Sequence, residues 1–463
     1  MTDKQFLEQE IAAWLRSPER KWMLTGERYY RGEQDILHRK RTAIGEGGRL
    51  VVVDNLPNNR LVDNRYAQLV DQKSNYLIGK PLTFDTDNDA YQQALGQILG
   101  RDFQRALKAI AVDCYNAGIG WLHPYYDDAG ALRFRRFPPY EIMPMWADAE
   151  HTRLDLAVRV YPVEAYEGQI KTVRWRAEVY GVDGVRRYDW SGVSLTEDRD
   201  APYAPYIEAA GRGYNWQRVP LIAFRANDRE LPLIARVKTL QDAVNELISD
   251  WANCMQEDSR NTVLVLRDYD GQDLGEFRRN LAAYSAVKVQ EPGGIDTLQI
   301  TVDADNYQKL LQVLKKSLIE NGRGYDAKEE RLAGNPNQMT IQSMYSDIDL
   351  DANGMETEWQ AAFEQLLWFV SAHLANTGQG SFEGVDLTVI FNRDMLINET
   401  EAINNCKASV GILSDETIVG QHPWTTDVKR ELDRLRNEKQ QAIDEYAGAF
   451  KAGGIKGDGD AGP

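Results

Sequence analysis

Residues 233–255 read LIARVKTLQDAVNELISDWANCM. Leu233, Val237, Leu240, Val244, Leu247, Trp251 and Met255 recur at steps of three and four. That spacing predicts a long helix with one apolar stripe. Asp242, Glu246 and Asp250 follow each other four apart on a different face. Like charges at this spacing repel by a few tenths of a kcal/mol per pair. Lys238 is the one basic residue at a four-residue step from the row. Two readings of the row stay open: a solvated face on an ordinary amphipathic helix, or a wall kept negative for a purpose, since acids repel phosphate.

Upstream of this helix the texture is mixed. Residues 1–45 are charged and helical, Leu50 to Val53 is a short strand, and residues 54–59 are dense in turn formers. A helical period returns from Leu61 to Tyr76 and stops at Gly79-Lys80-Pro81. A helix is expected over residues 89–117. Residues 120–224 alternate aromatic and β-branched with polar residues, and Asp183-Gly184 between two such runs signals a hairpin. Residues 191–217 read as a long loop.

Downstream, Val263 to Leu266 is a strand, residues 273–283 a short helix and Ala286 to Val289 a strand, with a break at Pro292-Gly293-Gly294. A second helix starts near Asp303 or Asp305 and ends near Asn321. A Gly/Asn/Pro loop over 322–338 leads into a third long helix to Ala375. A strand over 386–391, a capped helix start at Ser414 and a charged helix over 427–446 close the chain, before a Gly-rich tail. The fold class expected is α+β.

The bulk numbers agree with a folded chain of two or three units: 463 residues, 43% hydrophobic and 27% charged. No apolar run is long enough to span a membrane, and the first residues, with Asp3 and Glu8, give no sign of a secretory signal. The formal charge of −17 is the opposite of what a DNA reader needs. It suits a protein that must not adhere to DNA. Cys114, Cys254 and Cys406 are far apart, as expected of reduced thiols.

Signatures of catalysis are missing. There is no phosphate-binding Gly-x-x-x-x-Gly-Lys-Ser/Thr loop and no zinc pattern. The five histidines are scattered. Gly322-Arg323-Gly324 follows a helix rather than a strand, so its likeness to a phosphate cradle is superficial. Asp347, Asp349 and Asp351, with Glu358, imitate a calcium loop, but Ala352 stands where that loop needs Gly; a solvated turn or helix end is expected instead. No catalytic residue, cofactor or metal is assigned.

Several segments, taken in order, resemble the portal family of long-tailed phages. They are Tyr29-Tyr30-Arg31-Gly32-Glu33, Asn58-Asn59-Arg60-Leu61-Val62-Asp63-Asn64-Arg65-Tyr66, residues 70–81, and Val219-Pro220-Leu221-Ile222-Ala223-Phe224 before the acidic helix. Gly334-Asn335-Pro336-Asn337-Gln338-Met339, residues 388–392 and residues 411–417 continue the series. The resemblance implies a portal fold with wing, stem, clip and crown regions, assembled as a dodecameric ring at the capsid vertex. Carried onto this chain, residues 1–230 and 341–412 are wing (the long helix and closing strand included), 231–259 and 303–321 the stem helices, 260–302 the clip, 322–340 the channel loop, and 413–463 the crown helix and tail. It implies a conduit for DNA packaging and ejection in the virion, assembled in the host cytoplasm. Its partners would be the terminase large subunit, a head–tail adaptor, the major capsid and scaffolding proteins, and double-stranded DNA passing without sequence preference. The candidate channel-lining residues are Asp242, Glu246, Asp250, Asn335, Asn337 and Gln338. The competing expectations are another phage head or adaptor protein, or a DNA-packaging enzyme subunit.

Overall fold

The computed structural model describes residues 3–44, 48–54, 56–167, 170–209, 211–257, 262–267, 294–299, 304–326, 338–393, 398–425 and 428–452. The chain divides into two compact units, Met1–Gly324 with Asp347–Asp394, and Tyr325–Ser346 with Met395–Pro463.

The first unit opens with helices α1 (Asp3–Arg16) and α2 (Pro18–Tyr30). Ser17 separates them: its hydroxyl accepts from the Arg20 amide at 3.1 Å, and Pro18 takes the first helical position, where no N–H is missed. Strands β1 (Thr42–Ile44) and β2 (Leu50–Val52) form a two-stranded antiparallel ribbon. Helix α3 (Arg65–Ile78) starts four residues later than the period from Leu61 suggests, capped by Asn64. Then come β3 (Thr83–Asp85), α4 (Asp89–Ile98) and α5 (Arg101–Ala117). The single helix expected over 89–117 is two, because the chain leaves the helix at Leu99 and Gly100 is the extended cap of α5.

The β-rich segment supplies β4 (Ile119–Tyr126), β5 (Leu132–Phe137), β6 (Ile142–Trp146), β7 (Leu154–Glu167), β8 (Ile170–Gly181), β9 (Gly184–Trp190), β10 (Leu195–Glu197), β11 (Tyr203–Ala204), β12 (Ile207–Ala209), β13 (Arg212–Tyr214) and β14 (Ile222–Arg225). The expected loop over 191–217 thus contains four short strands. The main sheet runs β10-β9-β8-β7-β6 with β11 added on β9, and a smaller one runs β14-β4-β5. Both faces of the main sheet are covered. One carries Ala157, Tyr180 and Val185 against Trp121 and Phe137; the other carries Val158, Val160 and Val179 against Ile11 of α1. Ala157 and Val158, neighbours in β7, are therefore both buried, on opposite faces.

The acidic segment is α6 (Ile234–Glu257), followed by β15 (Thr262–Arg267), β16 (Gly294–Gln299) and α7 (Ala304–Asn321). β15 and β16 pair antiparallel. β16 begins at Gly294, which the sequence presents as part of a Pro-Gly-Gly break. The short helix at 273–283 and the strand at 286–289 lie outside the described residues, as do Asn335 and Asn337. Helix α8 (Gln338–Asn376) enters this unit at Asp347. β17 (Thr388–Ile390) closes it by pairing with β3, Val389 opposite Phe84. Trp359 and Phe363 of α8 are buried against Phe224, with ring centroids 4.9 and 5.6 Å apart in edge-to-face geometry.

The second unit contains the start of α8 with α9 (Glu399–Ala408), α10 (Asp415–Gln421) and α11 (Val428–Ala452). Ser414 caps α10 as the sequence suggested, accepting from Thr417 N at 3.3 Å. Helix α9 lies where the sequence analysis above places no element. Asn398 caps it, and Glu399 and Glu401 in its first turn complement the helix dipole.

Candidate functional site: the acidic helix and its polar seam

Helix α6 carries three rows, of which the sequence displays two. The apolar row is buried at Leu233, Val237 and Val244, partly covered at Leu240, Leu247 and Trp251, and exposed at Met255. Between it and the acids runs a third row, Gln241, Asn245, Ser249 and Asn253, each 0% exposed. Four buried polar side chains in line need partners. They find them in the strap of residues 59–64 and the first turn of α3. Asn59 N donates to Asn253 Oδ1 at 2.7 Å, Leu61 N to Ser249 Oγ at 3.0 Å, Asp63 N to Asn245 Oδ1 at 3.0 Å and Tyr66 N to Gln241 Oε1 at 3.0 Å.

The register has a simple cause. Two residues of extended chain advance about 6.6 Å, and four residues of helix about 6.0 Å. The amides of Asn59, Leu61 and Asp63, two apart, therefore meet side chains four apart on α6, and the first turn of α3 brings Tyr66 N to Gln241. The seam continues inward: Asn245 Nδ2 donates to Gln34 Oε1, Gln34 Nε2 to Asn64 Oδ1 at 2.9 Å, and Gln241 Nε2 to the Asp63 carbonyl at 2.8 Å. This explains the late start of α3. Leu61 and Asp63 have their amides taken by α6, so residues 61–64 do not wind into the helix that follows.

The acidic row differs from its appearance in sequence. Asp242 accepts from Lys238 at 2.7 Å and from the Tyr29 hydroxyl at 2.5 Å, and Lys238 also reaches Asp35 at 2.6 Å. Asp250 pairs with Arg39 at 2.5 Å. Two of the three acids are thus compensated, one of them by a residue 211 positions away, which no local reading could supply. Glu246 is exposed, and no ion pair engages it among the described residues. Partial burial works against the charge on Asp35, but Lys238 and Arg28 hold its pKa down at about 2. Burial and the bond to Asp242 push the Tyr29 hydroxyl up, so it stays a donor.

Helix α7 packs on α6. Tyr307 stacks on Trp251 with centroids 6.2 Å apart, and Lys315 bonds Asp63 of the strap at 2.8 Å. At its end, Gly322-Arg323-Gly324 is a helix stop and no cradle. The three amides are spent on the carbonyls of Leu318, Glu320 and Ile319, and Arg323 sits at φ +51. A Cβ at Gly322 or Gly324 would lie 2.6 or 2.4 Å from Leu69.

The aspartates of the supposed calcium loop lie inside α8, not in a loop or at a helix end; Asp347 is exposed, while the other two are paired. Asp351 faces the buried Lys73 at 3.0 Å and Arg236 and Arg323 at 3.5 Å each. Asp349 pairs with Arg393, and Glu358 with Arg225 at 2.6 Å. In the second unit, Gln338 Oε1 accepts from Asn398 N at 3.1 Å, and Gln338 N donates to Glu401 at 2.9 Å, so this candidate residue helps hold the start of α9. His123 is a core histidine: it stacks on Phe137, its Nδ1 lies 2.6 Å from the Pro220 carbonyl, and burial pulls its pKa down to about 4. Among the described residues no group of His, Cys, Asp or Glu could hold a metal ion, and no helix is long and apolar enough to cross a membrane.

A strapped pair of helices, with its polar bonds spent on structure, fits a scaffold. Comparison with known proteins gives the class: residues 16–445 match the model of the phage portal proteins of the SPP1 Gp6-like type, and the chain belongs to that family. It is similar to the portal protein of Bacillus phage SPP1, with 30% identity over 433 residues covering 90% of this chain and 84% of that one. It is also similar to the portal protein of Clostridium phage phiCD119, with 26% identity over 445 residues covering 91% and 93%. A solved chain from the neck of an empty GTA particle, computed with C6 symmetry, overlaps 76% of this chain and 88% of its own at 10% identity, with a TM-score of 0.43. Portal proteins are structural components of the virion that connect the capsid and serve DNA packaging.

Proposed function

We propose that this chain forms the dodecameric portal ring at the capsid vertex. In that role it conducts DNA during packaging and ejection, and docks the terminase large subunit and then a head–tail adaptor. The observation that carries this reading is the family match over residues 16–445, nearly the whole chain. The ring would sit among major capsid and scaffolding proteins after assembly in the host cytoplasm. The energy for DNA movement would come from the terminase, not from this chain.

The charge supports passage rather than grip. Twelve copies at −17 each sum to −204, and duplex DNA carries about one negative charge per 1.7 Å. Like signs keep DNA from adhering to the walls. With Asp242 and Asp250 paired, Glu246 is the residue of the row best suited to meet DNA. Electron microscopy of the purified protein tests the ring; a monomer that never closes ends the proposal. The acidic wall is tested by Glu246→Lys, which breaks no internal bond among the described residues. Rings should form as before while DNA packaging falls at least tenfold; unimpaired packaging would remove the wall from the reading.

A further inference from the structure

Asp351 of α8 is a meeting point for four elements of the first unit. Lys73 of α3 reaches its Oδ2 at 3.0 Å. Arg236 of α6 and Arg323, just after α7, both reach its Oδ1 at 3.5 Å. The Lys73 side chain is 1% exposed and that of Asp351 15%. Lys73 also donates to the Arg323 carbonyl at 3.0 Å and lies over the Tyr115 ring, 5.6 Å from its centroid. One buried lysine on one buried carboxylate is a balanced pair. With the two arginines added, three cations share one carboxylate, a net of 3 − 1 = +2 in a chain of −17. Burial pulls the Lys73 pKa down and Arg236 and Arg323 add to it, with Asp351 working against them.

The two guanidinium groups have donors to spare. At 3.5 Å their contacts with Asp351 are longer than a charge-assisted hydrogen bond, which is about 2.7–2.9 Å. Each guanidinium is a fork of several N–H donors, and neither has another partner among the described residues. Their side chains are 36% and 51% exposed, so a solute reaches them. Two groups that each lie 3.5 Å from one oxygen are at most about 7 Å apart, a gap that one tetrahedral oxyanion bridges. The backbone fixes both. Arg323 sits at φ +51 between glycines pressed on Leu69, and its carbonyl is tied to Lys73. Arg236 stands in the first turn of α6, which holds no acid. A cation there opposes the helix dipole, whereas an anion would be stabilised by it.

We propose that Arg236 and Arg323, set in place by Asp351 and backed by Lys73, form a binding site for a phosphate-type oxyanion. The bound anion neutralises the cluster and ties α6, α7 and α8 together where they meet. A local excess of two charges matches a phosphate dianion. The same chemistry is offered by inorganic phosphate, by a phosphate monoester and by the backbone of duplex DNA.

The probe is inorganic phosphate on the full-length chain, with potassium chloride at equal ionic strength as the reference. Equilibrium dialysis should find one phosphate per chain, and the thermal midpoint should rise in phosphate but not in chloride. Arg236→Gln and Arg323→Gln should each weaken phosphate binding at least about tenfold, the loss expected with a charge-assisted hydrogen bond. Arg236→Lys, which keeps a cation without the fork and is the milder change, should also bind phosphate several-fold more weakly. In chloride the Gln variants should unfold at or above the parental midpoint, because each removes a like charge from a cluster in excess. A lowered midpoint in chloride would mean that the ion pairs are complete in themselves, and overturns the proposal. So does a parent chain that binds no phosphate, or a double Gln variant that binds it as the parent does. A duplex oligonucleotide with hydroxyl ends then separates the sources: displacement of phosphate assigns the site to DNA backbone, and retention assigns it to free phosphate or a monoester.

Discussion

Two long helices of the first unit hold their neighbours by opposite means. Helix α8 presents Trp359, Phe363, Leu366 and Phe369, each at most 2% exposed, to rings on other elements. Helix α6 presents Gln241, Asn245, Ser249 and Asn253, each 0% exposed, to the backbone of the strap. The first contact is stabilised by area and is tolerant of small shifts. The second is directional, and a slip of one residue would leave the strap's amides without acceptors. The difference teaches where register matters: the acidic helix is fixed along its length, residue by residue, while α8 is fixed by bulk, with ion pairs at its edge.

The sharpest break in this contrast is Trp359→Ala. It removes a fully buried indole that meets Phe224, Phe363 and Phe391. A loss of about 3–5 kcal/mol is expected from the transfer and cavity costs of such a deletion, read by urea unfolding. Leu366→Met on the same face should cost less than about 1.5 kcal/mol, because apolar volume is nearly kept. A replacement of similar size on α6 should behave differently. Asn245→Leu fits the space but strips Asp63 N of its acceptor and Gln34 Oε1 of its donor. About 2 kcal/mol is expected for groups left buried and unpaired. If Asn245→Leu proved as mild as Leu366→Met, the seam would be packing like any other.

These two faces were not equally legible. The stripe at 233–255, the strands over 120–224, the Asp183-Gly184 hairpin and the cap at Ser414 declare themselves through local period and turn chemistry. The polar seam does not, although Gln241, Asn245, Ser249 and Asn253 are spaced as evenly as the acids. Amides four apart on a helix look solvated until the partner is known, and here the partner is 175 to 194 residues away. The extended strap was read as helix for the same reason: its period from Leu61 is helical, and a long-range bond overrides it. The break at residues 99–100 is hidden because Gly100 caps α5 without a side chain, whereas 399–408 carries a cap at Asn398 and first-turn acids that do mark a helix start. The acids were legible as a row but not as a charge, because Arg39 and Asp35 come from outside the helix.

The smallest effect separates structure from surface on α6. In the pair Arg39–Asp250 the side chains are 27% and 42% exposed. A cycle of Arg39→Met, Asp250→Asn and both together should give a coupling of about 0.2–1 kcal/mol, shrinking further in salt. The size of that coupling has a consequence for the whole row. If Asp250 were there to hold Arg39, the coupling would be several kcal/mol and the acids would need no other reason to exist. A coupling near zero means that Asp250 is not kept for its bond to Arg39.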